Sequence, residues 1–363
     1  MTTTDRARTY AALGGLVELR DGEIREVRLV RRRGRLRESG IVAVLLVLLA
    51  AAFCLSLSLG DLWIPLPDVA RVALGLSADS PAPFIVGELR FPRAVMAVMV
   101  GLAFGMAGTI LQQLVRNPLA SPDIIGVTYG ASATAVVAIL VFGASGYVLS
   151  VWALVGGLGA AALVYGLSWS QGVTGYRMIL IGIGVAAVGE SLTAYFLTRA
   201  KLYEATVALR WLTGSLSDAS ESRMHVLGWC LVVLVPMALL LSRWIRPLQL
   251  GDDSARELGL RVETSRLSLV VASVLLASVA TAAAGPIAFV ALMAGPVAGL
   301  LTGKSGGGLI SSGLVGAVLV VVSDMVGQHL LSQSLPVGVI TGIIGAPYLI
   351  WLLIRMNRIG GAN

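Results

Sequence analysis

Charge is scarce in this chain. Asp, Glu, Lys and Arg make up 13% of its 363 residues, against about 25% in soluble domains. With 56% hydrophobic residues, it has too little polar surface for a water-soluble globule. Cysteine is nearly absent. Cys54 and Cys230 both lie in apolar runs, so neither a disulfide framework nor a metal site is implied. The two histidines, His225 and His329, are far apart and read as interfacial helix-end residues. Ionisable residues within apolar stretches are equally few, Glu190 and Asp324 being the clearest. Two isolated acids make a poor proton relay and read as packing or helix–helix hydrogen-bonding residues. This weighs against an ion-coupled secondary transporter. No nucleophile–base pair or metal constellation lies within the apolar stretches, which weighs against an intramembrane enzyme. A near-match to a nucleotide loop, Ala298-Gly299-Leu300-Leu301-Thr302-Gly303-Lys304-Ser305, lacks the first glycine and a preceding strand. No catalytic residue is expected, and any ATP hydrolysis belongs to another subunit.

What is present is apolar length. A spanning helix needs about 20 apolar residues. Hydropathy and breaker residues predict an all-α polytopic membrane protein with ten spans: 41–60, 92–114, 124–142, 147–169, 178–198, 224–243, 265–284, 286–302, 308–330 and 336–355. Residues 41–356 form the membrane domain. Residues 1–40 are a basic cytoplasmic tail with ten arginines and no signal-peptide pattern, and 357–363 a short cytoplasmic tail. With the N-terminus inside, twenty Lys/Arg fall on the inner side and seven on the outer. That satisfies the positive-inside rule and places both termini in the cytoplasm. The run 30–37 would lie against the anionic inner leaflet.

Glycine is abundant, 43 residues, or about 12% against a usual 7%. Small residues let membrane helices approach closely. Gly101, Gly105 and Gly108 fall on one face of the second span and are candidates for close helix packing.

Several polar segments punctuate the apolar runs. Leu89-Arg90-Phe91-Pro92-Arg93 opens the second span, and Arg116-Asn117-Pro118-Leu119-Ala120-Ser121-Pro122-Asp123 follows it. Pro118 and Pro122 break the chain there, and Asn117 can hydrogen-bond the freed backbone. Residues 251–259 read as a short helix that Gly251 opens, Asp252 or Asp253 caps and Gly259 closes. Two outer arginines, Arg90 and Arg93, run against the positive-inside rule and so have a use on that face.

These segments resemble the FecCD permease family, the membrane subunits of bacterial ABC importers for ferric siderophores, haem and cobalamin. The resemblance spans about 41–356. It rests on Arg90-Phe91-Pro92-Arg93, on Gly108-Thr109-Ile110-Leu111-Gln112 running into the Arg116–Asp123 stretch and Gly126, and on Trp211-Leu212-Thr213-Gly214-Ser215-Leu216. Leu250-Gly251-Asp252-Asp253-Ser254-Ala255-Arg256-Glu257-Leu258-Gly259 and Leu335-Pro336-Val337-Gly338-Val339 with Gly345-Ala346-Pro347 complete it. The Gly-Asp-Asp and Gly182-Ile183-Gly184-Val185 segments resemble the enterobactin-type, catecholate permeases most.

The resemblance implies a non-catalytic permease in the bacterial cytoplasmic membrane, forming half of a pore for an iron-siderophore complex. Haem or cobalamin is the alternative cargo. It implies a second permease subunit, two ABC ATPase subunits that hold ATP and magnesium, and an extracytoplasmic binding protein. No nucleic acid and no cofactor in this chain are expected. Arg90 and Arg93 would dock the binding protein. Arg116, Asn117, Pro118 and Pro122 would form an inner turn or gate. Gly251, Asp252, Asp253, Ala255, Arg256, Glu257, Leu258 and Gly259 would couple to the ATPase, with Ala255 on the docking side and Leu258 and Leu260 as apolar anchors. Two positions depart from the family pattern. Ala294-Gly295-Pro296-Val297-Ala298-Gly299 replaces a Pro-His-x-x-Arg segment, and Gln328 stands where relatives often place an arginine. This asymmetry favours a heterodimer over a homodimer.

Overall fold

A computed structural model describes residues 21–60, 62–76, 82–123, 125–168, 175–303, 307–329 and 334–360. These residues are helices joined by short connections, with no strand among them. Part of the expected basic tail, 1–20, lies outside the described residues, as do Lys304 and Ser305 of the loop-like segment.

The first helix, α1 (Asp21–Ser58), is 38 residues long. It joins part of the basic tail to the first apolar span without a break. Hydropathy marks where a helix meets lipid, not where it begins, and this stretch contains no proline to stop it. A short helix α2 (Leu66–Ala73) follows. A π-helical turn, Phe84–Arg90, then runs directly into α3 (Phe91–Val115). Next come α4 (Val127–Phe142), α5 (Gly146–Ser168), α6 (Gly175–Arg199), α7 (Leu202–Leu212) and α8 (Glu221–Leu241). A 3₁₀ turn leads into α9 (Ile245–Gln249) and α10 (Asp252–Glu257). The chain ends with α11 (Val262–Ala284), α12 (Val290–Thr302), α13 (Leu309–His329) and α14 (Val337–Gly360).

Among the described residues, eight helices are long and apolar enough to cross a membrane, by length and composition. Two more predicted segments are apolar helices of shorter length, α4 and α12. For α12 the cause is local. Its predicted start at 286 lies in an irregular corner where Gly285 has φ +73° and Phe289 φ +65°, so the helix begins at Val290.

The bundle is built around α3, and small residues allow it. A Cβ on Gly101 or Gly105 would run into backbone atoms of Gly316 or Ser312 on α13, and one on Gly108 into Ala291 on α12. No real Cβ sits that close, so these three positions admit glycine only. On another face of α3, the Ser273 hydroxyl of α11 donates to the Ala107 carbonyl at 2.7 Å. Among lipid tails there is no hydrophobic drive to associate, so close packing and interhelical hydrogen bonds hold such a bundle. The α4–α5 contact repeats the pattern. Gly130 and Gly156 meet backbone to backbone, and the Thr134 hydroxyl donates to the Trp152 carbonyl at 2.8 Å. By contrast α6 lies at the periphery and exposes Leu180, Ile183, Val188 and Leu192.

Candidate functional site

Three polar places interrupt this apolar bundle: one at each end of α3 and a cavity between them.

At the N-terminal end of α3, Arg90 closes off α1. Its guanidinium donates to the carbonyls of Leu57 (2.8 Å), Ser58 (3.0 Å) and Leu62 (2.7 Å). The last carbonyls of a helix lack intrahelical partners and carry its negative dipole end, so a cation suits them. One turn on, Arg93 forms a two-pronged pair with Asp324 of α13, at 2.9 and 2.8 Å. The Asp324 side chain is only 3% exposed, and Gln328 Nε2 donates to it as well, at 2.7 Å. Asp324 therefore bonds between helices, and Gln328 completes its shell. Both arginines expected at a docking surface are engaged within the chain, and they border a cavity of about 420 Å³ that also meets Gln328 and His329.

At the other end, Arg116 ends α3 in the left-handed conformation, φ +56°. It donates to the Leu248 carbonyl of α9 at 2.6 Å. Asn117 Oδ1 accepts from the Leu119 amide at 2.9 Å, which stabilises the turn leading to Pro118 and the buried Pro122. Gln112 Nε2 donates to the carbonyls of Pro118 and Leu292, both at 2.9 Å. Arg116 thus brings the inner turn against the segment holding α10.

That segment is a helix, as expected, but two details differ. Gly251 (φ +114°) is the N-cap, and no side chain caps the helix. Asp252 pairs instead with Arg266 of α11 at 2.9 Å, and Asp253 with Arg256 at 2.9 Å. Having lost the cap position to glycine, both acids sit within the first turn. At the far end Gly259 (φ +80°) closes the helix, with Leu260 N bonding back to the Ala255 carbonyl at 3.0 Å. The second difference is Ala255. It is fully buried in the chain's own core, where its small side chain lets α10 sit down on α9 and α11, so it cannot be on a docking side. Leu260 likewise packs inward. The outward face carries Arg256, Glu257 and Leu258, with Leu250 beside them; Leu258 and Leu250 are 66% and 68% exposed.

Between the ends lies a cavity of about 600 Å³, walled by α4, α6, α14 and the corner before α12. Phe289 and Val339 supply apolar surface, and Asp123, Tyr129, Glu190 and Thr193 supply polar groups. Asp123, in the connection before α4, accepts a hydrogen bond from the Thr128 hydroxyl. Burial pushes its carboxyl above the usual carboxylate range, and the Thr128 bond partly opposes this. Glu190 is exposed to the cavity and makes no hydrogen bond or ion pair among the described residues. Of the two roles expected for it, packing or hydrogen bonding between helices, it does not fill the second among the described residues. A carboxylate on an apolar helix is the signal available in sequence, but only the fold brings it into one cavity with Asp123. Among the described residues no group of His, Cys, Asp and Glu is placed to hold a metal ion.

The model of the FecCD transport family matches residues 48–355. The chain belongs to this family. It is 38% identical over 294 residues to the ferric enterobactin transport system permease protein FepG of Escherichia coli, covering 80% of this chain and 89% of the relative. It is 40% identical over 340 residues to the achromobactin permease protein CbrC of Dickeya dadantii, covering 91% and 97%. The ferric enterobactin transport system permease protein FepD of Escherichia coli is 36% identical over 344 residues, covering 89% and 100%. Among solved structures, an inward-facing metal-chelate type ABC transporter superposes with a TM-score of 0.78 at 25% identity, covering 87% of this chain and 99% of that one. This FecCD protein is a multi-pass membrane permease. Its departure at 294–299 has a packing reason. A Cβ at Gly295 would collide with the Gln112 amide and lie 2.9 Å from the Thr109 hydroxyl, so a larger residue would displace Gln112 from its bonds to the Pro118 and Leu292 carbonyls.

Proposed function

We propose that this chain is the permease subunit of an ABC importer and forms half of the translocation path for a ferric siderophore complex. The observation that carries the reading is the near full-length similarity to permease proteins of siderophore transport systems. The geometry agrees with it. The cavity of about 600 Å³ between α4, α6, α12 and α14 is the part of this chain that would line the passage. The exposed face of α10 is the surface on which separate ATPase subunits, holding ATP and magnesium, would act. Leu250 and Leu258 supply its apolar anchors, the usual means by which a short helix docks in a groove. A second, different permease completes the path, in line with a transport system whose FepG and FepD are both named permeases. An extracytoplasmic binding protein delivers the cargo at the Arg90 and Arg93 end. Iron uptake tests the reading. A strain deleted for this chain, given radio-iron on several chelators, should lose uptake of at least one ferric siderophore and regain it on complementation. Unimpaired uptake of every chelate would defeat the proposal.

A further inference from the structure

The cavity between α4, α6, α12 and α14 has a one-sided lining. Its polar groups are hydroxyls, among them Ser121, Thr128 and Thr193, and the two carboxyls of Asp123 and Glu190. No lysine or arginine lines it among the described residues. Glu190 has neither a hydrogen bond nor an ion pair there, although its helix is one of the candidate spans. A carboxylate on a spanning helix is costly against lipid and tolerable against water. Facing the cavity, it keeps its water and projects its field into the passage. Between low-dielectric walls that field is focused and weakly screened.

We infer that Glu190, backed by Asp123, selects cargo by charge: neutral or cationic ferric chelates pass and polyanionic ones are retarded. The inference rests on the proposed transport function and sharpens its substrate class. Three hydroxamates cancel the charge of ferric iron, so such complexes are neutral or, with an added amine, cationic. Catecholate and polycarboxylate ligands leave an excess of negative charge, which two carboxyls would repel. Hydroxyls can donate hydrogen bonds to chelate oxygens without adding charge. On this ground hydroxamate-type cargo is favoured, whereas the relatives FepG and FepD are named for enterobactin.

The test uses the assembled complex, with its partner permease, ATPases and binding protein, in proteoliposomes. The probes are a ferric trihydroxamate, a ferric tris-catecholate and ferric citrate. The readout is the ratio of initial ATP-dependent uptake rates, anionic over neutral chelate. The same binding protein feeds wild type and variant, so its preference cancels between them. Glu190→Gln should raise the ratio on the order of tenfold, and Glu190→Asp, which keeps the charge, should leave it near wild type. An unchanged ratio in Glu190→Gln, or an equal rise in Glu190→Asp, would overturn the inference. If the wild-type complex shows no ATP-dependent uptake of any ferric siderophore, the transport function itself fails, a result distinct from an unchanged ratio.

Discussion

Removing Arg93 separates two roles for the outer end of α3. If Arg93 serves only to dock a partner, Arg93→Met leaves the fold intact. If it neutralises Asp324, the same change strands a carboxylate that is 3% exposed and has only Gln328 left as donor. Breaking a buried pair from one side costs about 3–5 kcal/mol. The two sides are not equivalent. The Arg93 side chain is 21% exposed and borders the 420 Å³ cavity, so after Asp324→Leu it can turn towards water. Arg93→Met should therefore be the more damaging single change, near the upper end of that range, and Asp324→Leu nearer the lower. The double variant removes both charges and should recover part of the loss, with a coupling energy of about 2 kcal/mol. Thermal unfolding of the purified protein in detergent measures all four species. Wild-type stability in Arg93→Met, together with lost binding-protein association, would refute the internal role and leave docking as its function.

Glycine spacing on α3 makes a second test. Gly108→Leu forces α3 and α12 apart, beyond the roughly 1–3 kcal/mol of ordinary overpacking, whereas at Gly184 a Cβ meets nothing within 4 Å. Folded yield should fall sharply for Gly108→Leu and stay near wild type for Gly184→Leu, as size-exclusion profiles will show. On α10, Ala255→Asp buries an unpaired charge and should lower the melting temperature, while Leu258→Asp should change stability by less than about 0.5 kcal/mol yet lose co-purification of the ATPase. Asp123 supplies a pH test. Its carboxyl is raised above 3.8 by burial, so its contribution favours the fold below that value and is lost as pH rises through the folded-state pKa. Asp123→Asn keeps an acceptor for Thr128 and should raise the melting temperature near neutral pH, with the gain shrinking towards about pH 4; melting curves across that range decide it.

Each of the ten apolar segments read from hydropathy corresponds to a helix, because lipid-scale apolar length is a local property. Junctions were less legible. The joining of the basic tail to α1, the π-helical turn before α3 and the late start of α12 all depend on backbone conformation that hydropathy does not encode. Gly101, Gly105 and Gly108 were visible as one face, yet their partners, Gly316, Ser312 and Ala291, lie on α13 and α12 far along the chain. The pairing of Arg93 with Asp324 joins residues 231 apart, and no local pattern announces it. Ala255 was misplaced for a different reason: a helix of six residues is too short for its period to say which side faces the bundle.

The packing also decides which walls of the passage can move. Along α3, Arg93 is bonded to α13, the three glycines lie backbone to backbone against α13 and α12, Gln112 bonds the Leu292 carbonyl, and Arg116 bonds α9. The glycine contacts have no side chains to repack and the hydrogen bonds have fixed partners, so sliding α3 means losing both, which ties it to α12 and α13. The opposite wall is built differently. In the apolar window of α6 only 11% of residues are buried, against 78% in the window that includes α3, and its cavity-facing Glu190 makes no bond to α12 or α14. Within this chain α6 is therefore the least buried of the candidate spans that wall the cavity. That same element carries Glu190, and α10 reaches the packed helices by two routes, its own buried Ala255 and the Arg116–Leu248 bond between α3 and α9.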